Sequence, residues 1–106
     1  MLHYGPQELQ EFLQHAASPP LLLDVREAWE FDICHLPGSV LMPMSQVPSR
    51  VEELDRSRPT VVICHHGIRS RHIALYLDHL AFNTVINLAG GVERWASELD
   101  PRMPRY

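Results

Sequence analysis

Four short apolar runs constrain the fold of this chain more than any other feature: Leu21–Val25, Val40–Met42, Thr60–Cys64 and Thr84–Asn87, each followed by helical spacing or a turn. Aliphatic runs of this length that stop at charge or at a loop fit strands buried on both faces. Thr60-Val61-Val62-Ile63-Cys64 is the strongest of them, β-branched and apolar throughout. Strands alternating with helices over so short a chain predict an α/β fold, a small central parallel sheet flanked by helices on both faces.

The intervening segments supply the helices. Gly5-Pro6 followed by Leu9, Phe12, Leu13 and Ala16 reads as an amphipathic first helix, ended by Ser18-Pro19-Pro20. Glu27 to Ile33 is a short helical stretch broken by Leu36-Pro37-Gly38. Ser45 is placed to cap a helix carrying Val47, Val51 and Leu54. Ile73, Leu77, Leu80 and Ala81 form the inner face of a further helix, and Val92 to Leu99 the last, after the turn Gly90-Gly91. No linker or repeat divides residues 1–106, so one domain is expected.

Composition narrows the function classes. The apolar fraction of 45% and charged fraction of 21% are those of a globular chain. A net charge of -4, with no basic run, argues against nucleic-acid binding. All nine basic residues are Arg, which nothing in the sequence explains. No apolar run is long enough to cross a bilayer, and Met1-Leu2-His3-Tyr4 lacks the basic and apolar regions of a leader. Two cysteines, Cys34 and Cys64, cannot make a disulfide framework, so a cytoplasmic setting with both thiols free is expected.

In parallel α/β sheets, sites form beyond the carboxyl ends of the strands. Asp24-Val25-Arg26, Met42-Pro43-Met44, the Cys64 loop and Leu88-Ala89-Gly90-Gly91 should meet there, with Cys34 at the opposite end of the sheet. Cys64 ends its strand and opens the loop His65-His66-Gly67-Ile68-Arg69-Ser70 before a helix. Gly67 permits a turn that points successive amides inward as an anion-binding nest, and the helix start adds free N–H groups and a positive dipole end. Arg69, Arg71 and the two imidazoles raise the positive potential further. An ordinary thiol is only about 3% ionised at pH 7, and a downward shift of two units makes it roughly three-quarters thiolate. The loop is suited to a negative sulfur.

These residues resemble those of a single-domain rhodanese, from about Leu21 to Trp95. Leu23-Asp24-Val25-Arg26-Glu27 with Trp29-Glu30-Phe31 is similar to the family's first signature. His35-Leu36-Pro37-Gly38-Ser39 resembles its His-Ile-Pro-Gly-Ala segment. Asn87-Leu88-Ala89-Gly90-Gly91-Val92 with Trp95 resembles its Gly-Gly-x-x-x-Trp close. The resemblance implies a rhodanese-like sheet of about five strands and a sulfurtransferase that works through a Cys64 persulfide. Its donor would be a small anion such as thiosulfate, and its acceptor cyanide or a thiol. The residues implied at the site are Cys64, the loop His65, His66, Gly67, Ile68 and Arg69, and, in support, Asp24 and Arg26. Arg69 would steer anionic donors. A relay carrier loaded by a partner protein, or a binding module, is the alternative the resemblance also admits. Relatives acting on phosphate or arsenate have one more loop residue, whereas four residues separate Cys64 from Arg69, which disfavours a phosphatase.

No cofactor or metal is called for, because Cys64-His65-His66 matches no structural zinc spacing. Cys34 stands where the family usually has Gly and is read as a neutral replacement, too far from Cys64 to bridge it. Trp29 and Trp95 are read as packing anchors, and Met42-Pro43-Met44 as an exposed run, either an apolar lip or a plain loop.

Overall fold

The computed structural model describes all residues, 1–106. In chain order its elements are β1 (Leu2–Tyr4), α1 (Pro6–His15), β2 (Leu21–Asp24), α2 (Ala28–Ile33), β3 (Val40–Leu41), α3 (Val47–Arg50), β4 (Thr60–Ile63), α4 (Ile68–His79), β5 (Val85–Leu88) and α5 (Gly91–Glu98). The five strands form one all-parallel sheet in the order β1-β5-β4-β2-β3. β4 is the middle strand and is buried at every position, which is why its sequence carries no polar alternation.

Side chains alternate across the sheet and feed two cores. Leu23, Val25, Val62 and Cys64 face one side, where Ile73, Ala74 and Leu77 of α4 and Val47 of α3 cover them. Leu22, Val61, Ile63 and Ile86 face the other, under Leu9 of α1 and Val92 and Ala96 of α5. Helices therefore lie on both faces, as expected. Leu9 and Leu77 are fully buried, each stabilising the fold by roughly 2 kcal/mol.

Several expectations need correction. β1 was not anticipated: two of its three residues are exposed, so it shows no apolar pattern, and it exists because its backbone pairs with β5. That pairing sets His3 beside Asn87. The helix after Ser45 is broken into a 3-10 turn at Met44–Gln46, the single α-turn α3 and another 3-10 turn at Val51–Glu53, so Ser45 lies inside a turn and caps nothing. Ala81 is exposed, not inward: it adopts φ +65 just beyond α4 and terminates that helix. Met42 is buried in the first core, so the Met42-Pro43-Met44 run is not an exposed lip. Trp29 is no packing anchor, being 61% exposed, while Trp95 does pack on the second core.

Cys34 lies at the end of α2. Arg26, just after β2, donates through Nη2 to the Cys34 carbonyl at 2.6 Å and brings Nη1 to its sulfur at 3.9 Å. Cys34 belongs to the second core and Cys64 to the first, so the two thiols lie on opposite faces of the sheet. Both are free. α2 is only six residues long, so its end stays within reach of a guanidinium rooted at the strand's carboxyl edge.

Candidate active site

Cys64 follows β4, and its sulfur turns back under the start of α4. Gly67 N–H donates to Sγ at 3.1 Å and Ser70 N–H at 3.3 Å. Gly67 is the N-cap of α4 and Ser70 its third residue, so the sulfur takes the place an Asp or Ser side chain fills at an ordinary helix start. Both amides and the positive end of a twelve-residue helix favour a negative charge at that position. Gly67 is required on two counts. Its φ is +95, and a Cβ would lie 2.9 Å from Gly90 N across the edge.

Ser70 is fully buried and holds the sulfur a second way. Its Oγ is 3.3 Å from Sγ and donates to Asn87 Oδ1 at 2.5 Å, so the thiol proton points to Ser70. Asn87, in β5, continues the chain to His3 Nδ1 at 3.2 Å. When Cys64 ionises, the Ser70 hydroxyl can turn its proton to the sulfur, giving a third donor. Cys64 as a residue is 1% exposed, so reaction with a donor requires the loop to admit it.

The other loop residues divide. His66 and Ile68 face solvent. His65 is half-buried, stacked between His66 and Tyr106 with centroids 3.9 Å apart on each side. Burial, then the neighbouring His66, holds its imidazole below the usual pKa, so at neutral pH it adds no positive charge. That corrects the expectation of two charged imidazoles. Arg69 is likewise not free to steer anions: its two terminal nitrogens donate to Glu30 Oε1 at 2.7 Å and Oε2 at 2.8 Å. A bidentate carboxylate pair of this geometry consumes the fork that would otherwise grip an oxyanion.

Asp24 and Arg26 form an ion pair with both side chains fully buried, Arg26 Nη2 to Asp24 Oδ2 at 2.7 Å. Neither hydrogen-bonds the sulfur. Arg26 instead donates to the Glu30 and Cys34 carbonyls and to the Tyr106 hydroxyl. The pair is thus a buried strut under α2, touching the loop only through Glu30 and Tyr106. No group of three or more His, Cys, Asp or Glu side chains gathers where it could hold a metal ion. No helix is long and apolar enough to cross a membrane.

Sequence reasoning overlooked Ser70, Asn87, Glu30 and Tyr106. Ser70 was legible, because a helix starting after Gly67 directs its third amide at whatever caps it. Glu30 had a partial signal in its spacing from Glu27, whose amide it caps at 3.0 Å. Asn87 and Tyr106 gave none, since their partners lie far along the chain.

A parallel sheet whose middle strand delivers a thiol into the amides of a helix start defines a cysteine-loop α/β domain. The family model described as Rhodanese-like domain matches residues 6–98, and the chain belongs to this rhodanese-like family. It is 38% identical over 81 residues to a putative sulfurtransferase, YtwF, of Bacillus subtilis, covering 76% of this chain and 78% of that one. It is 33% identical over 90 residues to the thiosulfate sulfurtransferase GlpE of Pseudomonas syringae, covering 85% and 82%. Other relatives are longer, and the chain spans 26 to 30% of three of them. Among solved structures, a rhodanese-like domain protein from Staphylococcus aureus superposes with a TM-score of 0.83 at 25% identity, covering 93% of this chain and 95% of that one.

Proposed function

We propose that this protein transfers sulfane sulfur through a persulfide on Cys64. The thiolate attacks the outer sulfur of thiosulfate, the S–S bond of the donor breaks, and sulfite leaves with the bonding electron pair. The terminal sulfur of Cys64–S–S⁻ is then attacked by cyanide or a thiolate, and the Cys64 thiolate departs with the electrons of the broken bond. The observation that carries the reading is the pair of amides, Gly67 and Ser70, aimed at Sγ from a helix start. Such donors stabilise negative sulfur without reorganising. The thiosulfate sulfurtransferase name of a relative that this chain matches over 82% of its length supports the donor.

The loop separates this reading from phosphate chemistry. Four residues lie between Cys64 and Arg69, and Arg69 is committed to Glu30. A tetrahedral dianion would meet a loop one residue shorter than phosphate-acting relatives use and an Arg69 already paired end-on with a carboxylate. The activity is proposed to reside in one domain spanning residues 1–106, without cofactor or metal, in a reducing compartment such as the cytoplasm.

A second reading has its own support. A groove of about 740 Å³ shares Gly67 and Asn87 with the cradle and is lined by His3, His66, Arg71 and His72, with no carboxylate. It exceeds the needs of thiosulfate and suits a larger anionic partner, as in a relay carrier loaded by another protein. A relative is named a putative sulfur carrier protein.

Intact mass after thiosulfate treatment decides. One added sulfur on Cys64, absent in Cys64→Ser and removed by cyanide, is the expected result. Loading by a cysteine desulfurase but not by thiosulfate would favour the relay. Turnover of a small aryl phosphate without sulfur loading would overturn both readings.

A further inference from the structure

The last residues of the chain lie against the loop that carries Cys64. Met103 is buried in the second core, and Arg105 is ion-paired with Glu93 of α5. These anchors return Tyr106 to three groups at once. Its ring stacks on His65 at 3.9 Å between centroids and 14° between planes. Its hydroxyl donates to Glu30 Oε2 at 2.8 Å and accepts from Arg26 Nη1 at 2.7 Å. Trp29 meets the same ring edge-on at 5.8 Å. Tyr106 lies outside the residues 6–98 matched by the family model, so the family's motifs do not account for it.

We propose that Tyr106 is a positioning residue for the Cys64 loop. Its ring braces His65, the residue after the sulfur, and its hydroxyl holds the Glu30 carboxylate that grips Arg69 at the loop's far end. The inference rests on Cys64 as the reacting group. Gly67 and Ser70, the amide donors to sulfur, lie between and just beyond the two braced positions. Displacements of about 1 Å at such donors are enough to cost a large part of a site's rate.

The chemistry of the brace is directional. A guanidinium can only donate, so Arg26 occupies the phenol's lone pair and its proton goes to Glu30. Burial holds the phenol protonated up to about 12, so the donor persists at any working pH. Glu30 then has one oxygen on each Arg69 nitrogen, one backbone amide at Glu27 and the phenol. It is saturated, and its orientation is set from the outside by Tyr106.

The test uses Tyr106→Phe and Tyr106→Ala, with iodoacetamide alkylation of Cys64 followed by peptide mass across neutral and alkaline pH. In Tyr106→Ala the alkylation midpoint is expected to rise by about one pH unit, and kcat with thiosulfate and cyanide to fall about tenfold while KM changes less than about threefold. Tyr106→Phe keeps the stack and loses the hydroxyl, so about half that midpoint shift is expected. An unmoved midpoint in Tyr106→Phe overturns the proposal. So does a Tyr106→Ala protein alkylated faster at every pH with the same midpoint, the behaviour of a removed lid. If Tyr106→Ala does not fold by circular dichroism, the Phe variant decides alone. Alkylation does not depend on sulfur transfer, so a shifted midpoint beside a failed persulfide assay would sink only the sulfurtransferase reading.

Discussion

Gly91 lies against the start of the cysteine loop with no room for a side chain: a Cβ there would sit 2.3 Å from both the Cys64 and the His65 carbonyl oxygens. The same carbonyls accept from Val92 N–H at 2.9 Å and Glu93 N–H at 3.1 Å. The first turn of α5 is therefore stitched to the residue that carries the sulfur. The Gly-Gly turn seen in the sequence has its physical explanation in this close approach.

Gly91→Ala must part that seam. Gly91 also has φ +59, so the variant combines a left-handed residue with overpacking, together worth roughly 3 kcal/mol. Urea unfolding should show the loss, and thiosulfate loading of Cys64 should fall with it. Wild-type stability together with wild-type loading would contradict the role given to the seam.

Glu30 should define the acid limb of stability. Hydrogen bonds from Arg69, opposed by burial, hold its carboxyl at about 2, against an ordinary value of 4.5. Because the folded value is depressed, the contribution is fully present above the unfolded value and is lost as pH falls through the folded one. Stability should decline between about pH 4.5 and pH 2, by on the order of 3 kcal/mol. Glu30→Gln should flatten that limb, measured by urea midpoints against pH. An unchanged slope in the variant would show that other carboxylates carry it.

Removing the Ser70 hydroxyl tests the buried chain from Cys64 to Asn87. In Ser70→Ala, Asn87 Oδ1 loses a donor at 2.5 Å in a site closed to water. The expected cost is about 1–3 kcal/mol in thermal or urea unfolding. Sulfur transfer should slow about tenfold with the third donor gone. Ser70→Thr, which keeps the hydroxyl, should recover most of the rate. Equal rates in Ser70→Ala and the unaltered protein would remove Ser70 from the cradle.

Ala81 offers a gain of stability. It sits at φ +65 just past α4, where Phe82 N–H returns to the Leu77 carbonyl at 3.3 Å and Ala81 N–H to the Asp78 carbonyl at 3.2 Å. This is the helix-ending motif that usually carries glycine. Ala81→Gly relieves the left-handed strain and forfeits some unfolded-state entropy, so a net gain of about 0.5–1 kcal/mol is expected. Differential scanning calorimetry should show a higher melting temperature. A lower one would mean that the position has relaxed by another route.

What the sequence by itself determined are the features written in local patterns. The β4 run, the loop from Cys64 through Gly67, the start of α4 and the Gly90-Gly91 turn are each readable within a few residues, since strand burial, helix capping and positive φ depend on near neighbours. The parallel sheet and the position of Cys64 at its carboxyl edge follow from them. Tertiary structure alone decided β1, the charge state around the loop and the tail. Leu2-His3-Tyr4 becomes a strand only because β5 offers it a paired edge. Arg69 and the two histidines look cationic in one dimension, yet Glu30, 39 residues away, neutralises Arg69, and burial discharges His65. Tyr106 meets Arg26 across 80 residues. Contacts at that separation follow from how the helices pack on the sheet, and no local pattern encodes them.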